Sequence, residues 1–436
     1  MTITTLKPET AAQVTDAVRW ALSAGEPLEI LGSGSRRGLG RPVQAGHALD
    51  LFGLSGVIAY EPEELVLTAL AGTPMDLIRS MLAERGQHLA FEPPEGGTLG
   101  GLVASGLAGP RRISAGSARD HTLGIAGVSG RAEAYKGGGK VVKNVTGYDV
   151  PKLMAGSFGT LTALTEITVK VLPAPEDTAT LLLFGLDDAA AVAMLDRALR
   201  SPYEVSGAAH LPAATASRSG VADVAEAGGA VTLVRLEGFG PSVAARVTML
   251  REELRADAVL GREESLALWR EVRDGAGLGE VVADCPHPNP PPPSAGEGAL
   301  QTTPQSPSTA RAGEGRGGGM STAQVAHTPH LWKLSVPPSA GPTTVETISR
   351  KLDVEVVYDW GGGLVWLAAP PDSGATIRGA LSAGGHAMLV RAPEAVRAAT
   401  DVFQPLPEPL MALSRRVKES FDPKGILNPG RMYAGL

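Results

Sequence analysis

Between residues 9 and 25, Val14, Val18, Ala21 and Leu22 recur at helical spacing, and Gly25 stands where a helix would stop. Pro27 to Leu31 follows as a short apolar run, a strand pattern, and breaks off at the glycine-rich stretch Gly32-Ser-Gly-Ser-Arg-Arg-Gly-Leu-Gly40. Leu49 to Leu51, Gly56 to Tyr60 and Leu65 to Ala71 predict three further strands, and Met75 to Arg85 predicts a helix. A second glycine-rich region runs from Glu92 to Gly109, and Leu161 to Leu172 alternates as a strand that Pro173 ends. The pattern is α+β, with a first boundary at residue 173.

Beyond 173 glycine clusters thin out and helical spacing increases. Ala189 to Leu199 and Pro241 to Leu254 read as helices, and Ala230 to Leu236 as a strand. Residues 286 to 319 carry prolines, small polar residues and almost no large apolar side chain, which predicts disorder. The tract repeats itself, at Ala295-Gly-Glu-Gly298 and Ala312-Gly-Glu-Gly315, as an in-frame insertion would. Strands return at His330 to Val336 and Leu364 to Ala368, and a closing helix is expected over Glu408 to Phe421.

Chain length and charge narrow the function. A chain of 436 residues buries several cores without disulfide or metal support. A net charge of -7 argues against a nucleic-acid partner, although Arg111 and Arg112 form a local basic pair. The single cysteine, Cys285, excludes an intrachain disulfide and a cysteine-ligated iron–sulfur cluster or zinc site within this chain. The N-terminus lacks the basic start and apolar run of a signal peptide, and no apolar stretch is long enough to span a bilayer, so a cytoplasmic location is expected.

The loop from Gly32 is suited to a diphosphate, because glycines let backbone N–H groups converge while Ser33, Ser35, Arg36 and Arg37 add donors and charge. Gly32, Gly34 and Gly38 miss the dinucleotide fingerprint by one residue, and Arg41-Pro-Val-Gln does not open a helix, so a Rossmann site is rejected. A plain surface turn accounts for the loop equally well. In the second region Gly100, Gly101, Ala104, Ser105 and Gly106 leave a nearly bare helix face, fit for a flat ligand or for tight packing. Two more glycine-punctuated segments follow, from Arg119 to Gly127 and from Asn144 to Leu161.

This ordered set resembles the FAD-binding domain of the vanillyl-alcohol oxidase and p-cresol methylhydroxylase (PCMH) type over residues 1 to 173. The resemblance includes Ala71-Gly-Thr, Leu99-Gly-Gly and Gly156-Ser-Phe-Gly-Thr. More narrowly, five runs resemble the FAD-binding subunits of glycolate oxidase. They are Gly97-Thr-Leu-Gly-Gly, Ser105-Gly-Leu-Ala-Gly-Pro-Arg-Arg, Lys143-Asn-Val-Thr-Gly-Tyr-Asp, Lys152-Leu-Met-Ala-Gly-Ser and the terminal Phe421-Asp-Pro-Lys-Gly-Ile-Leu-Asn-Pro-Gly-Arg. The resemblance implies a two-lobed FAD-binding domain over 1–173 and an α/β cap domain over 174–285 and 326–400. A disordered insert at 286–325 would interrupt the cap, and a tail over 401–436 would return to the FAD domain.

It further implies FAD contacts from Ser33, Gly34, Ser35, Arg36, Arg37 and Gly38 at the pyrophosphate. Gly97, Thr98, Leu99, Gly100, Gly101, Ser105 and Gly106 would follow, then Ser117, Asp120, His121 and Gly124, then Gly159, Thr160, Glu166 and Ile167. Some relatives attach FAD covalently through a histidine or cysteine. The first loop has neither, so noncovalent FAD is expected, with His121 the residue to check.

Oxidising a 2-hydroxy acid requires a base, a cation for the carboxylate and an accessible flavin. Related catalytic subunits carry a histidine-rich, metal-binding cluster, but His210, His287, His327, His330 and His386 are scattered without ligand spacing. No metal and no catalytic residue is assigned. Tyr148 and Asp149 could pair as acid and base, or Asp149 could simply fix a turn before Pro151. The resemblance therefore implies a subunit working beside a larger FAD-binding glycolate oxidase subunit and an iron–sulfur subunit. Glycolate, a small 2-hydroxy acid, would be oxidised to glyoxylate by the complex, which could meet a membrane peripherally through its partners. Two alternatives stand beside it: a self-sufficient FAD-dependent 2-hydroxy-acid dehydrogenase, and a flavin-free assembly scaffold.

Overall fold

The computed structural model describes residues 4–139, 147–278 and 328–436. The low-complexity tract expected at 286–325, Cys285, His287 and His327 lie outside the described residues.

The first unit has two lobes. A parallel three-stranded sheet has the order β1 (Thr4–Leu6), β3 (His47–Asp50), β2 (Leu28–Leu31). The helix Ala11–Ala24 makes the crossover. Thr10 caps its start by accepting from the Gln13 N–H, and Gly25 ends it at φ 69°, where a side chain would strain the backbone. Val14, Val18 and Ala21 are fully buried against Leu28, Leu49, Val128 and Ala163. Each side chain of valine size so removed from water stabilises the lobe by about 1.5–3 kcal/mol.

The second lobe is an antiparallel five-stranded sheet: β4 (Val57–Glu61), β5 (Val66–Leu70), β9 (Thr162–Lys170), β7 (Thr122–Ser129), β8 (Ala134–Gly138). Helices Met75–Ala83 and Leu99–Ser105 pack on it through Met75, Ile78, Leu82, Leu102 and Val103. The strand expected over Leu161 to Leu172 stops at Lys170. Leu172 and Pro173 form β10, paired with His88 and Gln87 of β6. Such a two-residue ladder tolerates a proline, which lacks only the donor.

Residues 177–278 and 328–391 build one eight-stranded sheet in which every pairing is antiparallel. Its order is β14 (Ala258–Leu260), β11 (Asp177–Phe184), β13 (Val231–Gly238), β12 (Gly207–Leu211), β16 (Glu355–Asp359), β17 (Leu364–Ala369), β15 (His330–Ser335), β18 (His386–Arg391). Alternate residues face opposite sides. Leu181, Leu183, Ala208, Val234 and Leu236 meet helices Asp188–Arg200 and Gly240–Leu254 on one face. Leu182, Ala209 and Leu233 meet helix Arg262–Asp274 on the other. That second face also carries Arg235, Glu237, Lys333 and Asp359, which point toward the first unit.

The chain then returns to its beginning. Helix Glu408–Phe421 buries the Lys418 ammonium, which donates to the carbonyls of Thr160 (2.7 Å) and Leu427 (2.8 Å) and pairs with Asp422 (2.7 Å). Leu427 bridges to Leu28, so the tail extends the edge of the first lobe.

Candidate functional site

An open cleft lies between the two lobes of the first unit. One wall is the end of β2 with the loop Gly32–Arg37, and the other is the helix face of Gly101, Ala104 and Ser105 with Phe158. The loop needs Gly34 at φ 76° to make its turn. Among the described residues, the N–H groups of Ser33, Gly34 and Ser35 donate to no acceptor. Three consecutive N–H groups left without a protein acceptor suit an anion such as a diphosphate.

Packing keeps this wall bare. A Cβ on Gly32 would lie 2.3 Å from Thr98 Oγ1, and one on Gly97 would lie 2.9 Å from both Ser35 Oγ and Arg36 Nη1. Gly100 is needed for helix packing, since its Cβ would meet Ala71 O and Cβ at 2.9 Å. Gly101 differs, because nothing approaches its Cβ position more closely than Thr98 Oγ1 at 3.4 Å. Tight packing thus explains Gly100, while Gly101 supplies open space.

The tail closes the end of the cleft. Asn428, 4% exposed, accepts from the Ile30 N–H (2.8 Å) and donates to the Phe158 carbonyl (2.8 Å), joining both walls. Arg431 donates to the carbonyls of Arg36 (2.8 Å) and Arg37 (3.2 Å). Burial lowers its pKa to about 10, as do the neighbouring Arg397 and Arg37, with Glu29 opposing. Arg37 forms a bidentate pair with the buried Glu29, tying the loop to β2.

Of the residues expected at the cofactor, Ser33, Gly34, Ser35, Arg36, Arg37, Thr98, Gly100, Gly101, Ser105 and Gly159 line the cleft. Gly38 belongs to the same loop, and Gly97 buttresses it. Leu99 is buried in the core, Gly106 ends its helix at φ 64°, and the Thr160 hydroxyl donates to the Ser157 carbonyl. The others stand outside this lining. Ser117 and Asp120 form a capping box, whose hydrogen bonds hold the Asp120 carboxyl below its ordinary pKa. His121 is buried with its ring nitrogens against the carbonyls of Ala115 (2.8 Å) and Lys170 (3.3 Å). Gly124 packs on Gly139, Ile167 is core, and Glu166 lies 3.6 Å from Lys136.

Sequence reasoning did not assign Asn428, Arg431 or Phe158, although each sits inside a run singled out for its resemblance. Tyr148 is 92% exposed, and Asp149 caps the helix Val150–Met154 and pairs with Lys152 (2.9 Å), which makes it the turn-fixing residue. His210 is buried between Thr232 and Asp188, far from any cluster, and no described group of His, Cys, Asp and Glu could hold a metal.

The family described as FAD binding domain matches residues 4–136, and FAD linked oxidases, C-terminal domain, matches residues 404–432. Over 425 residues the chain is 34% identical to glycolate oxidase subunit GlcE of Escherichia coli (strain K12), covering 97% of each. The chain belongs to the GlcE family. Glycolate oxidase subunit GlcD of Bacillus subtilis is 33% identical over 178 residues, 39% of this chain and 37% of that protein. 4-Ethylphenol oxidase from Gulosibacter chungangensis shares the fold with a TM-score of 0.66 at 13% identity, covering 99% of this chain and 89% of that one. p-Cresol methylhydroxylase does so with a TM-score of 0.65 at 14% identity, covering 99% and 88%.

FAD is the cofactor of this GlcE-family chain, and the cleft fits it. The unpaired N–H groups at 33–35 suit the diphosphate, and the missing side chain at Gly101 leaves room for a flat ring system. No described helix is long and apolar enough to cross a membrane.

A second constellation faces the first unit from the eight-stranded sheet. Lys333 Nζ lies 4.9 Å from the Trp360 ring centre and 5.7 Å from that of Trp366, and the Arg112 guanidinium stacks on Trp360 at 4.5 Å. Neither the Lys333 nor the Arg112 side chain makes a hydrogen bond or ion pair with a described residue. Burial pulls Lys333 down to about 8, Arg112 adds to this, and Asp359 opposes it. Burial pushes the Asp359 carboxyl up to about 7 against the bond it accepts from the Trp360 N–H (2.7 Å). Near neutral pH, Asp359 is thus a weak counter-charge. Of the local basic pair, Arg111 is an ion-pair member with Glu237 and Arg112 a stacking partner of Trp360.

Proposed function

We propose that the chain is the smaller FAD-binding subunit of a multi-subunit enzyme that oxidises glycolate to glyoxylate. It would assemble with a larger FAD-binding glycolate oxidase subunit and an iron–sulfur subunit. The likeness to a named glycolate oxidase subunit along nearly the whole chain carries this reading. FAD, when bound, supplies the hydride acceptor. The chain's own residues hold it: the N–H groups of Ser33, Gly34 and Ser35 at the diphosphate, and the bare Gly101 face against the ring system. No histidine or cysteine lines the described cleft, which favours noncovalent attachment. The lone cysteine favours placing any iron–sulfur cluster on a partner. A cytoplasmic complex, meeting a membrane only through partners, accords with this composition.

Co-expression with candidate partners tests the reading. The complex should oxidise glycolate, and removing this subunit should abolish activity. Full activity of the remaining subunits would contradict it.

One observation favours a second reading, a self-sufficient 2-hydroxy-acid dehydrogenase. Lys333 and Arg112 are two cations without an acidic hydrogen-bond partner, an arrangement suited to a carboxylate. Reduction of a dye acceptor by the purified chain with glycolate or lactate decides for it.

A further inference from the structure

The loop 92–98 joins the flavin cleft to the eight-stranded sheet. At one end Glu92 sits in a left-handed backbone at φ 52°, unfavourable for a residue with a Cβ and held by its surroundings. Its carboxylate accepts both Arg235 Nη atoms at 3.0 Å and the Arg111 N–H at 2.9 Å. Arg111 in turn forms a bidentate pair with Glu237 (2.9 and 2.7 Å). Arg235, fully buried, stacks on Trp269 at 4.4 Å and donates to Ser206 Oγ at 3.1 Å. Two carboxylates and two guanidinium groups thus balance across the boundary, with Glu92 and Arg111 from the first unit and Arg235 and Glu237 from β13. Glu95 adds a second link, to Arg273 at 3.3 Å.

At its other end the same loop makes the cleft. The Gly97 carbonyl accepts from the Met75 N–H (3.0 Å), Gly97 presses against Ser35 and Arg36, and Thr98 caps the helix that carries Gly101. A ligand that orders the Ser33–Ser35 loop therefore acts on one end of a segment whose other end is clamped to β13.

We propose that Glu92 is a positioning residue that couples FAD binding to docking of the eight-stranded unit, a relation that rests on FAD occupying the cleft. Coupling is reciprocal: FAD stabilises the docked arrangement, and loss of the clamp weakens FAD binding although no clamp residue lines the cleft. Typical couplings between sites correspond to about 5–150-fold in affinity.

FAD titration of the apoprotein by flavin fluorescence, with wild type, Arg235→Met, Glu92→Gln and the double variant, tests this. We expect each single variant to bind FAD about tenfold more weakly, and the double no more weakly than the worse single, because both break one device. Hydrogen exchange on the wild type gives a readout that needs no variant to fold: FAD should slow exchange within strand 231–238 as well as within 32–38. Unchanged FAD affinity in folded variants, or protection that stops at the cleft and leaves 231–238 unaffected, overturns the proposal. A wild-type chain that binds no FAD overturns both the cleft assignment and the coupling. Normal FAD binding without the clamp effects overturns the coupling alone.

Discussion

At the cleft, Gly32 and Gly97 lack side chains because Thr98 and the Ser35–Arg36 turn leave no room for them, and Gly101 leaves open space on the cleft wall. On the facing side of the eight-stranded sheet, Arg235, Glu237 and Asp359 place charge in a buried layer against the neighbouring unit, and Lys333 lies half-buried against the indoles of Trp360 and Trp366. The first surface is sensitive to added volume and nearly indifferent to pH. The second tolerates little change in charge, because each buried ion there depends on its neighbours. A site of bare backbone holds a ligand by shape and N–H groups, whereas the charged face holds two units together and sets which ions survive between them.

Removing one charge should have the largest effect. Arg235→Ala leaves Glu92 and Glu237 to share Arg111, and should cost about 3–5 kcal/mol of stability by denaturant titration. A loss below about 1 kcal/mol, the scale of an exposed pair, would mean that the quartet is solvated. Volume comes next. Gly101→Leu should weaken FAD binding about 100-fold, about 2.7 kcal/mol, with little change in the melting temperature of the apoprotein. Retained FAD in that variant would move the ring system off this face. Gly100→Leu, by contrast, should unfold the helix packing as well as lose FAD, since Ala71 leaves no room.

Asn428→Ala breaks two buried hydrogen bonds across the cleft and should cost about 1–3 kcal/mol, visible as faster FAD release.

The smallest effect is one of slope. The fold raises Asp359 from 3.8 to about 7 by burial, so its contribution to stability is complete below pH 3.8 and fades as pH rises through 7. Asp359→Asn should lift that loss, and the variant should gain on wild type as pH rises toward 8. Glu237 has the opposite sign: it is held down from 4.5 to about 2 by Arg235 and Arg111 against burial, so its contribution fades as pH falls from 4.5 toward 2. His88, lowered from 6.5 to about 4 mainly by burial, with Arg111 adding, also loses its contribution as pH falls from 6.5 through 4. A flat difference between Asp359→Asn and wild type would show that Asp359 is solvated.

The same contrast explains what could be read in the sequence. The cleft is written in short, local runs: Gly32 to Gly38 and Gly97 to Gly106 announce themselves by composition, and the Glu408–Phe421 helix by its spacing. The charged face has no such run. Arg235, Lys333 and Asp359 come from separate strands, brought together by the order β13-β12-β16-β17-β15. Each looks in isolation like an ordinary strand residue. Strand β12, buried at every position, alternates little between apolar and polar and escaped the reading, as did β11, β14, β16, β18 and the helix Arg262–Asp274. The glycines at 100 and 101 appeared equivalent, and only the position of Ala71 separates a packing glycine from an open one.

The central claim is that this chain itself holds FAD, noncovalently, between Ser33–Ser35 and the Gly101 face. Acid precipitation of the purified chain, followed by flavin quantification in supernatant and pellet for wild type and Gly101→Leu, tests it most directly. Stoichiometric FAD in the wild-type supernatant, and its loss in Gly101→Leu, is the predicted result. A wild-type chain that stays colourless after incubation with FAD, or flavin that stays with the pellet, would contradict it.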